Sequence, residues 1–276
     1  MKIAFIGGGN MAAALIAGLA GKLTAGANIH VVDPNSASLE RLRAQYGVTT
    51  AASADAAPDA IAQADVIVLA VKPQIMKEVT AQLLPLLPAG GTALLLSIAA
   101  GIRAQDLSRW LGGYAAIVRT MPNTPALIGQ GITGMVAAGG VSAEQRAAAD
   151  AIMKAVGGTV WLDDEALIDP VTAVSGSGPA YVFYFIEAMQ QAALEMGLNA
   201  EQGKQLALAT FTGAAQLAAQ SDEPVSVLRE RVTSKGGTTY AALTSMEESG
   251  VKQAIITAMK AAAARGRQLG EELGQA

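Results

Sequence analysis

Five short apolar runs, at residues 2–6, 28–32, 66–71, 92–98 and 115–121, alternate with helical periodicity at 11–22, 36–46, 74–87 and 104–111. Runs that are apolar at successive positions read as strands covered on both faces. Strands of that kind joined through helices give parallel crossovers. Turn signals at Asp33-Pro34, Lys72-Pro73 and Pro88-Ala89-Gly90-Gly91 punctuate the alternation. A further strand at 131–138, a helix at 143–156 and a last strand at 159–162 complete an open, doubly wound, mostly parallel sheet. Beyond Asp163 the strand signals stop. Ala- and Leu-rich helical patterns follow at 179–196, 200–219, 225–232, 239–248 and 251–273, so the chain reads as α/β with an α/β half at 1–160 and an all-helical half at 161–276.

Aromatic residues are only 4% of a chain that is 51% apolar, so Ala, Leu, Val and Ile must fill both cores. The stretches 181–194 and 205–217 are apolar on most faces, more than a helical domain of this size hides unaided. Burial against a second subunit explains that; a helix sandwiched inside one monomer is the alternative. The formal charge of −4 leaves no basic stripe for nucleic acid and no polybasic patch for a membrane surface. With no cysteine, disulfides and thiolate chemistry are excluded. One Lys and a few apolar residues before Gly7 do not make a signal peptide, and no apolar run reaches membrane-spanning length, so a cytoplasmic protein is expected.

The first strand runs directly into Gly7-Gly8-Gly9-Asn10-Met11-Ala12, a G-x-G-x-x-A turn opening a helix. Gly7 permits the tight turn, Gly9 lets the main chain approach a pyrophosphate, and Ala12 permits close helix–strand contact. Asp33 ends the second strand at about the twenty-residue spacing of a ribose-binding acid. The 1–160 half is therefore read as a Rossmann-like dinucleotide-binding domain. Asp33 favours NAD by repelling a 2′-phosphate, whereas Asn35 and Ser36 can donate to one, with Arg41 and Arg43 close behind on what is otherwise a solvated helix face. NADH and NADPH both stay open. Ala70-Val71-Lys72-Pro73 lies past the strand at 66–71, where ligands of open α/β sheets bind; Lys72 either reaches the cofactor or simply ends a strand at the surface. In Met121-Pro122-Asn123-Thr124-Pro125, two prolines stiffen the loop that carries Asn123 and Thr124 at the same edge, which favours a cofactor contact there over a plain connector. His30, the sole histidine, sits in the second strand without an acidic partner and reads as structural; Asp163, Asp164 and Glu165 read as a solvated cap. No His/Asp/Glu cluster has metal-ligand spacing, and no metal is expected.

In the helical half, Val174-Ser175-Gly176-Ser177-Gly178-Pro179-Ala180-Tyr181 opens the first long helix, and Thr233-Ser234-Lys235-Gly236-Gly237-Thr238-Thr239 lies between two others. The second loop is either a helix-breaking turn or a cradle of amides for a small carboxylate or phosphate. Together with the Gly7–Ala12 turn, the Ala70-Val71-Lys72-Pro73 turn and the proline-bounded loop, and in the same order over residues 1–273, these motifs resemble the pyrroline-5-carboxylate reductase family.

That resemblance implies NAD(P)H-dependent reduction of the cyclic imine 1-pyrroline-5-carboxylate to L-proline, the last step of proline biosynthesis. It also implies a helical substrate-binding and dimerisation domain that makes a homodimer or larger ring. The substrate carboxylate then falls on Ser234, Gly236, Gly237, Thr238 and Thr239, with the Thr239 hydroxyl near the imine nitrogen. The chain departs from many relatives at Lys235, where they have Pro, and at Ala57, where they have Asn. The inventory suits such chemistry: hydride transfer needs no protein nucleophile, and a cyclic iminium can arrive already protonated, so a neutral hydroxyl or an oriented water suffices. Two other readings remain, a β-hydroxyacid dehydrogenase using Lys235 or Lys72 as acid/base and a dinucleotide-binding regulatory module without catalysis.

Overall fold

The structure, a computed structural model, describes residues 1–87 and 92–275; the turn signal at 88–91 lies outside the described residues. In chain order the first half contains β1 (Ile3–Ile6), α1 (Asn10–Leu19), β2 (Ile29–Val32), α2 (Ser36–Tyr46), β3 (Thr49–Ala51), α3 (Pro58–Ala62), β4 (Val66–Leu69) and α4 (Met76–Leu83). There follow β5 (Leu94–Ser97), α5 (Ala104–Trp110), β6 (Ile117–Met121), β7 (Gly131–Ala137), α6 (Ala143–Lys154) and β8 (Gly157–Trp161). The sheet order is β3-β2-β1-β4-β5-β6-β7-β8, parallel through β6, with β7 antiparallel to β6 and β8 parallel to β7. The order reverses between β1 and β4, which opens a crevice at their carboxyl ends.

Strand periodicity explains why the helices lie on two faces. Ile3 and Phe5 of β1, with Val66 and Val68 of β4, join Leu15, Ile16 and Leu19 of α1 and Ile152 of α6 in one core. Ala4 and Ile6, with Ile67 and Leu69, join Ile61 of α3, Met76 and Leu83 of α4 and Leu107 of α5 in the other. Two elements had no sequence signal. Strand β3 is three residues long with Thr49 exposed, and α3 is a five-residue helix started by Pro58. The spacing predicts one helix over 74–87, but the structure places 3-10 turns on both sides of α4, each carrying a proline at its start, Pro73 and Pro85.

After β8 come a 3-10 turn at Glu165–Leu167, α7 (Ile168–Val171) and a π-turn at Thr172–Gly176. These are followed by α8 (Gly178–Glu195), α9 (Ala200–Gln220), α10 (Val225–Arg231), α11 (Thr238–Glu248) and α12 (Val251–Gln275). Two compact units result, Met1–Ser177 with Ala262–Ala276, and Gly178–Ala261. Compactness thus divides the chain later than the compositional break at 160/161 and returns the end of α12 to the first unit. Glycine spacing permits that return: a Cβ on Gly274 would come 2.6 Å from an Asp106 carboxylate oxygen, and one on Gly270 3.2 Å from the Gly101 carbonyl. Arg109 donates to the Gly274 carbonyl at 2.6 Å, satisfying one of the helix's terminal acceptors.

In the second unit the rings of Phe185 and Phe211 meet at 6.4 Å between centroids. Much apolar surface stays open, including Phe183, Tyr184, Met196, Leu206 and Leu217. A groove of about 380 Å³ between α8 and α12 is lined by Tyr181, Tyr184, Phe185, Ile255 and Met259.

His30 is half-buried at the amino-terminal end of the sheet, in a cavity shared with Lys2, Asp59 and Gln63. The Thr49 hydroxyl donates to the Ile29 carbonyl at 3.3 Å and therefore accepts from His30 Nδ1–H at 2.8 Å. That leaves Nε2 a buried acceptor with no partner among the described residues. Burial lowers its pKa from 6.5. The unfolded chain therefore takes up this proton more readily than the folded one, and stability is lost as pH falls from 6.5 through the lower folded value. Denaturant midpoints at pH 7.5 and 5.5 should differ less for His30→Gln than for the parent; an equal difference would clear His30 of this acid sensitivity.

Candidate functional site

Gly7 leaves β1 at φ 106°, and a Cβ there would stand 2.7 Å from the Ala70 carbonyl oxygen. Only glycine lets the turn into α1 press on the segment that follows β4, which brings Gly7 beside Ala70 and Val71. Gly9 caps α1 without any side-chain hydrogen bond, and nothing lies within 4 Å of where its Cβ would be. The amides at the start of α1 thus face open space with no acidic residue in the first turn, which suits a phosphate.

Gly8 is held at both backbone groups. Its N–H donates to Asp33 Oδ2 at 2.6 Å, and its carbonyl accepts from the Ser38 hydroxyl at 2.8 Å. The second Asp33 oxygen accepts from the Asn35 amide at 2.8 Å, and the Asn35 side chain caps α2 by accepting from the Ser38 amide at 3.1 Å. Ser38 carries no motif of its own, although its place three residues after a capping Asn is a readable signal. Ser36 is exposed on the first turn of α2, and Arg43 donates to Thr50 of β3. Asn10 and Lys72 are exposed, Met11 is half-buried, and Pro73 begins the 3-10 turn before α4. Apart from Arg43, in the last turn of α2, these residues lie at the carboxyl edge of the sheet, in the first unit.

Asn123, just past β6 on that edge, is buried and spends its side-chain amide inside the protein. Oδ1 accepts from the Ile132 amide at 2.9 Å and Nδ2 donates to the Ser175 carbonyl at 3.2 Å. The acidic run after β8 is only partly the solvated cap expected of it. Asp164 caps the 3-10 turn by accepting from the Ala166 amide at 2.9 Å, but Glu165 turns inward. Glu165 Oε1 accepts from the buried Arg119 guanidinium at 2.9 Å and from the Ala104 amide at 2.8 Å, joining β6, α5 and the segment after β8. Its partner is 46 residues away, beyond the reach of any local pattern.

The second unit holds Ser234, Gly236, Gly237, Thr238 and Thr239 together in one turn and helix start. The Gly237 amide donates to the Ser234 carbonyl at 3.0 Å, closing a four-residue turn with Gly236 at φ 72°, the left-handed value that a type II turn demands at its third position. Lys235 occupies the second position, where proline fits equally well. Gly237 then caps α11 with no side-chain hydrogen bond, and Thr239 is half-buried in the first turn. The opening amides of an 11-residue helix are left for a carboxylate or phosphate. Among the described residues no group of three or more His, Cys, Asp or Glu can hold a metal ion, and no helix is long and apolar enough to cross a membrane.

Residues 165–269 match the family model described as pyrroline-5-carboxylate reductase dimerisation, and residues 2–101 match that of NADP oxidoreductase, coenzyme F420-dependent. A pyrroline-5-carboxylate reductase of Pseudomonas aeruginosa is 46% identical over 274 residues, 99% of this chain and 98% of the relative. The solved pyrroline-5-carboxylate reductase of Coxiella burnetii superposes with a TM-score of 0.90 at 38% identity, covering 97% of this chain and 98% of that one. The Plasmodium falciparum pyrroline carboxylate reductase, solved with NADP bound, superposes with a TM-score of 0.85 at 31% identity, covering 98% of each chain.

Proposed function

The chain belongs to the pyrroline-5-carboxylate reductase family, and from that premise we propose that it reduces the C=N bond of 1-pyrroline-5-carboxylate to L-proline with NADPH or NADH. The observation that carries the reading is the N-terminus of α11, bare of any side-chain cap behind a type II turn, a receptor for the carboxylate of a small cyclic substrate. Ser234, Gly236, Gly237, Thr238 and Thr239 supply that receptor. In the first unit, Gly7, Gly8, Gly9, Asn10 and Met11 suit the pyrophosphate of a dinucleotide. Asp33, Asn35 and Ser36 suit its adenosine ribose, and Ala70, Val71, Lys72, Pro73 and Asn123 line the same edge.

When bound, the nicotinamide supplies the hydride that reduces the imine carbon. This chain's own residues grip the carboxylate with main-chain amides and, through the Thr239 hydroxyl or a water it orients, hold the proton at the ring nitrogen. A pre-protonated iminium needs no stronger acid, and Ser234, Gly236, Gly237, Thr238 and Thr239 include none. The 1–160 half is assigned the dinucleotide, and 161–276 the substrate and self-association. The dimerisation match and the open apolar helix faces support a homodimer or larger assembly. An enzyme drawing on NAD(P)H works beside that pool, and we assign it to the cytoplasm.

The direct test follows NADPH and NADH absorbance with 1-pyrroline-5-carboxylate. Consumption with proline as product is expected, whereas none with either nucleotide would overturn the reading and favour the regulatory module. Lys235→Pro separates the hydroxyacid alternative, because proline suits the second position of the turn but removes the ammonium group. Imine reduction should persist, and abolished turnover would mean that the lysine is the acid/base. At the ribose edge, Asp33→Ser should shift kcat/KM toward NADPH by about tenfold as a carboxylate facing a 2′-phosphate is removed. An unchanged ratio would show that Asp33 does not read the ribose.

A further inference from the structure

The Thr172–Gly176 turn is π-helical, and its unusual width has a traceable cause. The Ser177 amide donates to the Thr172 carbonyl at 2.8 Å, five residues back. The hydroxyls of Thr172 and Ser175 donate to the carbonyls of Ile168 and Val171, at 2.8 and 3.0 Å. In a regular helix the Ser175 carbonyl would accept from the residue four positions on. That residue is Pro179, which has no N–H. The donor that replaces it comes from 52 residues away, the Nδ2 of Asn123, while Oδ1 of the same amide is fixed by Ile132 at the start of β7. The two partners also settle which way round the amide lies, since an N–H can face only its oxygen and a carbonyl only its NH2. The turn is seated on the carboxyl end of β6 and the middle of the antiparallel β7: a Cβ on Gly176 would come 2.6 Å from Met121 Cε, and one on Gly134 2.6 Å from Val171 Cγ1.

Building on the reductase reading above, we infer that Asn123 is a positioning residue, whose amide replaces the hydrogen bond lost to Pro179 and so fixes the Thr172–Gly176 turn over the cofactor edge of the sheet. It acts on the reaction through the backbone of that turn. Each of its polar atoms already has a protein partner, the Ser175 carbonyl for Nδ2 and the Ile132 amide for Oδ1. The proline-bounded loop and the Ser-Gly-Ser-Gly-Pro run thereby explain each other. A proline that strips a buried-edge carbonyl of its donor requires a stiff loop to return one.

Asn123→Asp tests this with an isosteric change. One carboxylate oxygen still accepts from Ile132, but at pH 8 the other meets the Ser175 carbonyl without a proton. The expected result is a kcat about tenfold lower with the NADPH dissociation constant unchanged. The ratio of variant to parent kcat should rise as pH falls and the buried carboxyl gains the proton that donates to Ser175. Hydrogen exchange of the Ser177 amide should quicken in the variant at pH 8 and slow again at low pH relative to the parent. Weakened NADPH binding at parental kcat would overturn the proposal in favour of direct contact, and unaltered kcat or unaltered Ser177 exchange would overturn it outright. The exchange measurement needs no turnover. An inactive parent enzyme would therefore sink the reductase reading while leaving this one decided by the exchange alone.

Discussion

Thr239→Val should lower kcat for imine reduction by about a hundredfold while leaving NAD(P)H affinity within about twofold of the parent. Valine has the same shape, so the first turn of α11 and its opening amides persist and the carboxylate should still be gripped. What disappears is the hydroxyl, and with it the group that holds a proton, directly or through water, at the ring nitrogen. KM should therefore change little compared with kcat. Steady-state kinetics with 1-pyrroline-5-carboxylate, beside fluorescence titration of the nucleotide, separates the two. Parental kcat would remove Thr239 from the chemistry and leave a solvent-protonated iminium as the reactant. A large rise in KM at parental kcat would instead make it a binding group only.

Glu165→Ala should cost about 3 kcal/mol of stability, enough to lower the melting temperature by roughly 8 °C. The Arg119 side chain is 5% exposed, and deleting its carboxylate partner leaves a cation on a central strand with no counter-charge at 2.9 Å. The same deletion takes the acceptor from the Ala104 amide at the start of α5. Glu165 is 31% exposed, which keeps the figure at the lower end of what breaking a buried pair costs. A double change, Arg119→Met with Glu165→Leu, should recover most of the loss, because an apolar pair of similar volume carries no desolvation penalty. Calorimetry of the two variants decides it. A single variant as stable as the parent would mean that water takes over the guanidinium.

The expected strands at 2–6, 28–32 and 66–71 correspond to β1, β2 and β4 because strands covered on both faces are apolar at nearly every position, broken here only by the half-buried His30 of β2. The helices at 36–46, 143–156 and 200–219 were legible from their apolar pattern, and the structure adds a side-chain cap at the start of each, Asn35, Ser142 and Asn199. Strand β3 was silent because three residues at a sheet edge, one of them an exposed Thr, carry no period. The sequence offered a solvated cap at 163–165 and the opening of a helix at 174–181 with no element between, where α7 and the π-turn lie. They pack against residues distant in sequence, Met121 at the end of β6, Asn123 just past it and Gly134 of β7.

At the candidate sites, residue types that act through their own backbone were visible in the chain itself. Gly7 and Gly236 take positive φ in tight turns, and Gly9 and Gly237 stand directly before helices, which are local properties and leave a local mark. The aspartate at the end of β2 was visible by spacing, but its hold on the Gly8 amide was not, and Ser38 on the Gly8 carbonyl had no mark beyond its distance from Asn35. The amino-acid order by itself therefore determined the alternation of strands and helices, the glycine turns and the family to which those motifs belong, since each follows from interactions over a few residues. Only the folded chain decided that Glu165 neutralises Arg119 and that Asn123 returns a hydrogen bond to Ser175. Those pairings are made across sheet and loops by groups 46 and 52 residues apart, and such distances close only when the core does.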